Sequence, residues 1–173
     1  KPKKKVFLDK FSKKLCGKFR KGHFEGVLNV VNRFVEIIKP RYIFLGKKDY
    51  QQLYLIKKHI EIRNIGSKII ECKTIREKNG VACSSRNSSL NKNQMKIASN
   101  IFYYLSNIKK KIKNNYSLFN VNKIKKDLIY LGASKIDYLE NYNIKSFKKI
   151  KKPNSRFNLF FAYYIKNTRL IDN

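Results

Sequence analysis

Residues 22–46 read GHFEGVLNVVNRFVEIIKPRYIFLG, and the change of period inside this stretch decides the fold class. Phe24, Val27, Leu28, Val31, Phe34, Val35 and Ile38 recur at i, i+3, i+4 and i+7 steps, which lays one apolar stripe along a helix from Gly22 to Lys39. Pro40 disfavours helical geometry in the residue before it and stops that helix. The run RYIFLG at 41–46 is aromatic and β-branched and closes on a glycine, which predicts a short strand.

Working outward, residues 49–64 predict a second helix with Leu53, Ile56 and Ile60 inward and Gly66 closing it, and SKIIECKTI at 67–75 predicts another strand. Helix, strand, helix, strand in that order predicts βα alternation and a parallel sheet, half of a doubly wound α/β domain. On the amino-terminal side Val6 to Leu8 read as a short strand, with a basic, loop-like or weakly helical stretch through Lys18. His59 falls mid-helix and is expected to be exposed.

Beyond Arg76 the pattern changes. A polar turn at 77–80 leads into VACSSRN at 81–87 and a helix over 92–113 with Ala98, Ile101, Phe102, Leu105, Ile108 and Ile112 inward. A helix at 120–131 and strands at 135–142, 157–165 and 168–172 predict a small α+β domain with mostly antiparallel pairing. The expected division is 1–75 and 76–173. The Lys-rich stretches at 109–113 and 148–152 are expected to coat solvated helix ends and loops.

A net charge of +30 suggests a polyanionic partner, but its make-up argues against a dedicated nucleic-acid function. The cations are 33 Lys against 8 Arg, beside 19 Asn and 21 Ile, residues that share A/T-only codons. Arg, which makes the bidentate contacts of specific recognition, is scarce. Cys16, Cys72 and Cys83 show neither metal-ligand nor disulfide spacing, so a reducing, cytoplasmic setting is expected. No apolar run is long enough to span a bilayer, and the start KPKKKVFLDKF lacks the apolar stretch of a secretory signal.

Three stretches carry candidate chemistry. GKKDYQQ at 46–52 sits where a parallel strand gives way to a helix, the side of an open α/β sheet where ligands bind. There Gly46 admits a ribose or phosphate to the backbone, Lys48 offers a point charge, Asp49 accepts a ribose hydroxyl or caps the helix, and Gln52 offers an amide to a small polar substrate. The plainer alternative is an ordinary strand-to-helix turn capped by Asp49. In SSRN at 84–87, hydroxyls and Arg86 suit an anion, or simply form the turn before the next helix. Arg20 and His23 precede a helix whose amino-terminal dipole favours an anion, although a histidine there also serves as a hydrogen-bonded structural residue.

The ordered blocks R-x-G-H-F-x-G-V, G-x-K-D-Y-Q-Q, R-E-x-x-G-x-A-x-S-S-R-N and T-R-L-I-D-N resemble the pantothenate synthetases along essentially the whole chain. The resemblance implies a partial Rossmann-like nucleotidyltransferase domain over 1–75, a small α+β lid over 76–173, ATP and Mg2+ as cofactors, and ligation of pantoate to β-alanine through a pantoyl adenylate. It implies a homodimer; composition and the lack of a spanning apolar run give the expectation of no membrane and no specific nucleic-acid partner. Residue by residue it places Gly46, Lys47, Lys48, Asp49, Ile75, Cys83, Ser84, Ser85 and Arg86 on ATP, with Lys48, Ser84 and Arg86 serving catalysis at the phosphates. Gln52 falls on pantoate, and Arg20 and His23 support the cavity.

Two positions depart from the family pattern. Lys47 stands where an acidic residue is common, and Cys83 where Met or Leu is usual. The M-G-x-L-H-x-G-H block of the family's amino-terminal third is not found in the sequence, which starts at Lys1. The chain therefore reads as the carboxy-terminal two thirds of such a ligase, expected to be inactive alone, with an exposed sheet edge. A degenerate homologue without activity and a basic nucleic-acid-binding protein are the alternatives.

Overall fold

The computed structural model describes residues 6–144, 146–150 and 156–173, so the basic start at 1–5 and the end of the 148–152 stretch lie outside the described residues. The chain divides into two compact units, Lys1–Thr74 and Ile75–Asn173.

In the first unit a 3-10 turn at Lys10–Lys13 and a short helix α1 (Cys16–Phe19) precede α2 (His23–Ile38), β1 (Tyr42–Gly46), α3 (Tyr50–Ile62) and β2 (Lys68–Cys72). The two strands pair in parallel, Tyr42 opposite Lys68 through Gly46 opposite Cys72. Parallel neighbours cannot be joined by a tight turn, and α3 is the crossover that joins them. Leu28, Ile56 and Ile60 form the buried centre, with Val27, Val31, Val35, Ile43, Leu45 and Ile69 packed around it.

Two features of this unit differ from the sequence reading. Phe34 and Ile38 belong to the apolar stripe of α2 yet are exposed, at 57% and 64%, with Val30 and Ile37 beside them. The reason is width. Two strands about 4.8 Å apart cannot cover a pair of helices each about 10 Å across. On the other side of the sheet Tyr42, Phe44 and Ile70 are exposed as well, where parallel sheets are ordinarily covered on both faces.

Residues 6–8 and His59 also depart from the sequence expectation. Residues 6–8 are not a strand; the Phe7 N–H donates to His59 Nδ1 at 3.3 Å. His59 is buried, with Nε2 2.7 Å from Asn32 Oδ1. Gln51, Leu55 and His59 form a second inward row at four-residue steps beside Leu53, Ile56 and Ile60, which a single-stripe reading of α3 overlooks.

In the second unit α4 (Lys92–Asn114) and α5 (Val121–Tyr130) pack on a three-stranded antiparallel sheet of β3 (Lys135–Asn143), β4 (Phe157–Ile165) and β5 (Thr168–Asp172), in the order β3-β4-β5. Its core joins Ala98, Ile101 and Leu105 of α4 to Leu128 of α5 and to Leu159, Phe161, Tyr163 and Ile165 of β4. A reciprocal Asn91–Gln94 box caps α4. Lys109 is not simply a solvated helix-end charge, since its ammonium donates to Asn158 Oδ1 at 2.8 Å. The Arg169 Nε–H donates to Asp137 Oδ2 at 2.7 Å and ties β5 to β3. Among the described residues no helix is long and apolar enough to cross a membrane.

Two outcomes are expected. Leu28→Ala removes the centre of the first unit and costs about 2–5 kcal/mol, whereas Phe34→Ser stays within about 0.5 kcal/mol; urea unfolding compares them. His59 accepts from Phe7 and is therefore neutral, with a proton on Nε2, and burial, reinforced by the Arg63 charge, holds its pKa below the ordinary value. The unfolded chain takes up that proton first, so stability is full above about pH 6.5 and falls as the pH drops below it. Urea midpoints across that range, with His59→Gln as the comparison, should show a slope that the substitution flattens.

Candidate functional site

In the first unit the carboxyl ends of β1 and β2 lie side by side, and Gly46 leads into a 3-10 turn, Lys47–Asp49, that enters α3. Asp49 makes no side-chain capping bond to α3. The plain N-cap reading therefore does not account for it. Its carboxylate instead lies 3.8 Å from the Lys48 ammonium, whose side chain is largely covered. Lys47, the residue that departs from the acidic pattern, is answered by Glu71 of β2 at 3.4 Å, and Lys57 reaches the same carboxylate at 3.2 Å. Burial works to raise the Glu71 pKa, but the hydrogen bonds and charges of Lys57 and Lys47 outweigh it and hold it below the ordinary value.

The paired glutamines that open α3 have different surroundings. Gln51 is buried; its Nε2 donates to the carbonyls of Phe11 and Lys14 at 2.8 and 2.7 Å, and its Oε1 accepts from the Cys16 N–H at 3.1 Å. That one amide ties the 11–16 segment to the helix. Gln52 is half-buried, and its amide has no hydrogen-bond partner among the described residues. At the start of α2, Arg20 Nη1 lies 2.9 Å from His23 Nε2, so this pair is brought together, with Gly22 in a left-handed conformation between them.

In the second unit residues 75–83 fold back on themselves. The Cys83 N–H donates to the Ile75 carbonyl at 3.0 Å, Arg76 bridges Ala82, and the Glu77 N–H donates to the Val81 carbonyl at 2.8 Å. Ile75 and Cys83, eight positions apart, are thereby cross-strand neighbours. Ile75 is 70% exposed, and the Cys83 thiol is exposed and directed at Glu77 Oε1 rather than packed as a small apolar group. The Ser84 hydroxyl accepts from the Arg86 N–H at 3.3 Å and starts the 3-10 turn Ser85–Ser89. Asn87 is the buried residue of that turn, its side-chain amide donating to the Ala82 carbonyl at 3.2 Å, while its Oδ1 has no partner among the described residues. The exposed Arg86 guanidinium makes no ion pair or hydrogen bond among them either.

The sequence profile of the pantoate-beta-alanine ligases matches residues 2–173. The chain belongs to that family. It is 37% identical over 172 residues to a pantothenate synthetase of Caldicellulosiruptor saccharolyticus, covering 97% of this chain and 60% of the relative, and 37% identical over 174 residues to one of Clostridium botulinum with the same shares. Thus the chain spans about three fifths of the length of the curated relatives it matches.

Among solved structures, the pantoate-beta-alanine ligase of Francisella tularensis complexed with beta-gamma ATP and beta-alanine superposes with a TM-score of 0.73 at 34% identity, over 95% of this chain and 55% of that one. The pantothenate synthetase of Thermus thermophilus gives 0.86 at 23% identity over 96% and 61%, a likeness of fold. The parallel sheet with its helices and the antiparallel sheet have the α/β fold of these enzymes.

The sequence reading missed the anchoring role of Gln51, although its four-residue spacing to Leu55 and His59 was a visible signal. Gln51→Leu should lower stability by about 3 kcal/mol, because the Cys16 N–H and two carbonyls lose their partner, while Gln52→Ala changes it by less than about 0.5 kcal/mol. Equal effects of the two substitutions on the urea midpoint would contradict this division of labour.

Proposed function

We propose that this chain supplies ATP contacts for the AMP-forming ligation of pantoate and β-alanine. The observation that carries the reading is the state of the polar groups at the two motif stretches. Asp49 does not cap its helix, and Arg86 and Gln52 have no structural partner among the described residues. Polar groups that the fold does not use as caps or hydrogen-bond partners, Asp49 and Gln52 at the strand-to-helix turn of the α/β sheet and Arg86 in the Ser85–Ser89 turn, suit a ligand. That a relative from Francisella tularensis is complexed with beta-gamma ATP and beta-alanine agrees with this choice of ligand.

In the proposed reaction a carboxylate oxygen of pantoate attacks the α-phosphorus of ATP, and the bond from that phosphorus to the bridging oxygen breaks to release pyrophosphate. The amine of β-alanine then attacks the acyl carbon of the adenylate and AMP departs with the former carboxylate oxygen. Lys48 and Arg86 offset the charge that builds on the phosphates, and Ser84 and Ser85 add donors. Asp49 accepts from the ribose, Gly46 and Lys47 offer backbone to the nucleotide, Ile75 and Cys83 flank the base, and Gln52 holds pantoate. Arg20 and His23 keep a supporting role.

A magnesium ion would enter with ATP, held chiefly by the phosphates with at most one or two carboxylates from the protein. Among the described residues no three His, Cys, Asp or Glu side chains gather to hold a metal, and Asp49 faces Lys48. The reading extends to a cytoplasmic homodimer, with 1–75 as the nucleotide-binding portion and 76–173 as the lid.

Titrating ATP into the protein by calorimetry tests the proposal. Saturable binding is expected, weakened about tenfold by Lys48→Ala and by Arg86→Ala and unchanged by Lys125→Ala, a control elsewhere in a highly basic chain. If all three substitutions act alike, binding is a property of the bulk charge and the assignment fails.

A further inference from the structure

Arg76 and Asp172 stand 96 positions apart and meet in a fork, Arg76 Nη1 donating to Asp172 Oδ2 at 2.6 Å and Nη2 to Oδ1 at 3.1 Å. Nη1 also donates to the Gly80 carbonyl at 3.1 Å, and the guanidinium lies 4.4 Å over the Phe102 ring. The same ring leaves no room at the turn. A Cβ on Gly80, whose φ is +82°, would collide with it. Arg76, Asp172 and a second cation, Lys109, line one cavity; Lys109 donates to Asn158 and leaves Asp172 to Arg76. Asp172 is held in turn by the Asn173 N–H at 2.9 Å, and its strand β5 is paired to β4.

We propose that Arg76 and Asp172 are positioning residues whose fork fixes the 75–83 hairpin and so sets where the following Ser84–Arg86 turn presents its donors. The linkage is short and continuous: Arg76 bridges Ala82, the Ala82 carbonyl takes the Asn87 amide, and Asn87 is itself part of the turn, its N–H donating to the Ser84 carbonyl at 3.0 Å. A planar fork fixes direction as well as distance, which a point charge does not. The functional consequence rests on the nucleotide reading above, whereas the geometric part is independent of it.

Two variants test this. Arg76→Lys keeps the charge and loses the fork. The double variant Arg76→Met with Asp172→Leu removes both charges, and the adjoining cavity of about 230 Å³ gives the new side chains room; replacing a buried ion pair by apolar groups commonly preserves stability. In both, amide resonances of Leu139 and Leu159 in the sheet should stay in place. The Cys83 amide should exchange about tenfold faster or more, the Ser84, Ser85 and Arg86 amides should shift, and pyrophosphate should bind about tenfold more weakly.

Wild-type Cys83 protection and wild-type Ser84–Arg86 shifts in the folded variants overturn the proposal, and if the double variant does not fold, Arg76→Lys decides it alone. Hairpin loosening in a protein whose Ser84–Arg86 amides ignore pyrophosphate even before substitution sinks the nucleotide reading and leaves the positioning role standing.

Discussion

Parallel pairing of β1 with β2 constrains the first unit more than any other feature. Strands running the same way cannot be joined by a tight turn, so the chain must leave Gly46, cross back through α3 and re-enter at Lys68. The crossover puts a strand end and a helix start together, and Gly46, Lys47, Lys48, Asp49 and Gln52 occupy that junction. A backbone requirement therefore decides where the polar residues collect. Gln51 strengthens the arrangement from beneath by satisfying three backbone groups of the 11–16 segment with one buried amide.

The charge of the chain is organised more finely than its total of +30 suggests. Several acidic residues answer particular cations: Glu71 takes Lys47 and Lys57, Asp137 takes Arg169, and Asp172 takes Arg76. Exposed ion pairs contribute little to stability, so Lys47–Glu71 is best understood as local neutralisation beside Lys48 rather than as a stabilising contact. The Arg169 and Arg76 pairs are more buried and directional. Both draw on the closing TRLID run, which reads as a mere terminal strand in one dimension and supplies two tertiary anchors in three.

The element order was legible because period and punctuation agreed. The stripe over 24–38, Pro40 and the RYIFLG run predict α2 and β1, and the observed bounds His23–Ile38 and Tyr42–Gly46 follow them closely. Exposure was less legible. Phe34 and Ile38 carry a core pattern, but whether a core position is covered depends on how many strands lie beneath it. His59 shows the opposite error. A polar residue in the middle of a helix reads as solvent-facing, yet Asn32 and the Phe7 N–H, 27 and 52 positions away, satisfy both ring nitrogens and permit its burial.

The sequence by itself determined the class of the longer helices and strands, the sites at which they stop, the resemblance to the ligase family and the candidate stretches 46–52 and 83–86, since all of these depend on neighbours within a few positions. Only the tertiary structure decided which polar side chains are consumed by the fold. Gln51 and Gln52 are adjacent and chemically identical, and the 100° step of the helix turns one toward three unsatisfied backbone groups and the other away. Arg76 and Arg86 are likewise the same residue type ten positions apart, and Arg76 alone meets a carboxylate, because that carboxylate arrives from the far end of the chain. Hydrogen bonds and ion pairs are satisfied by proximity in space, which separation along the chain does not encode.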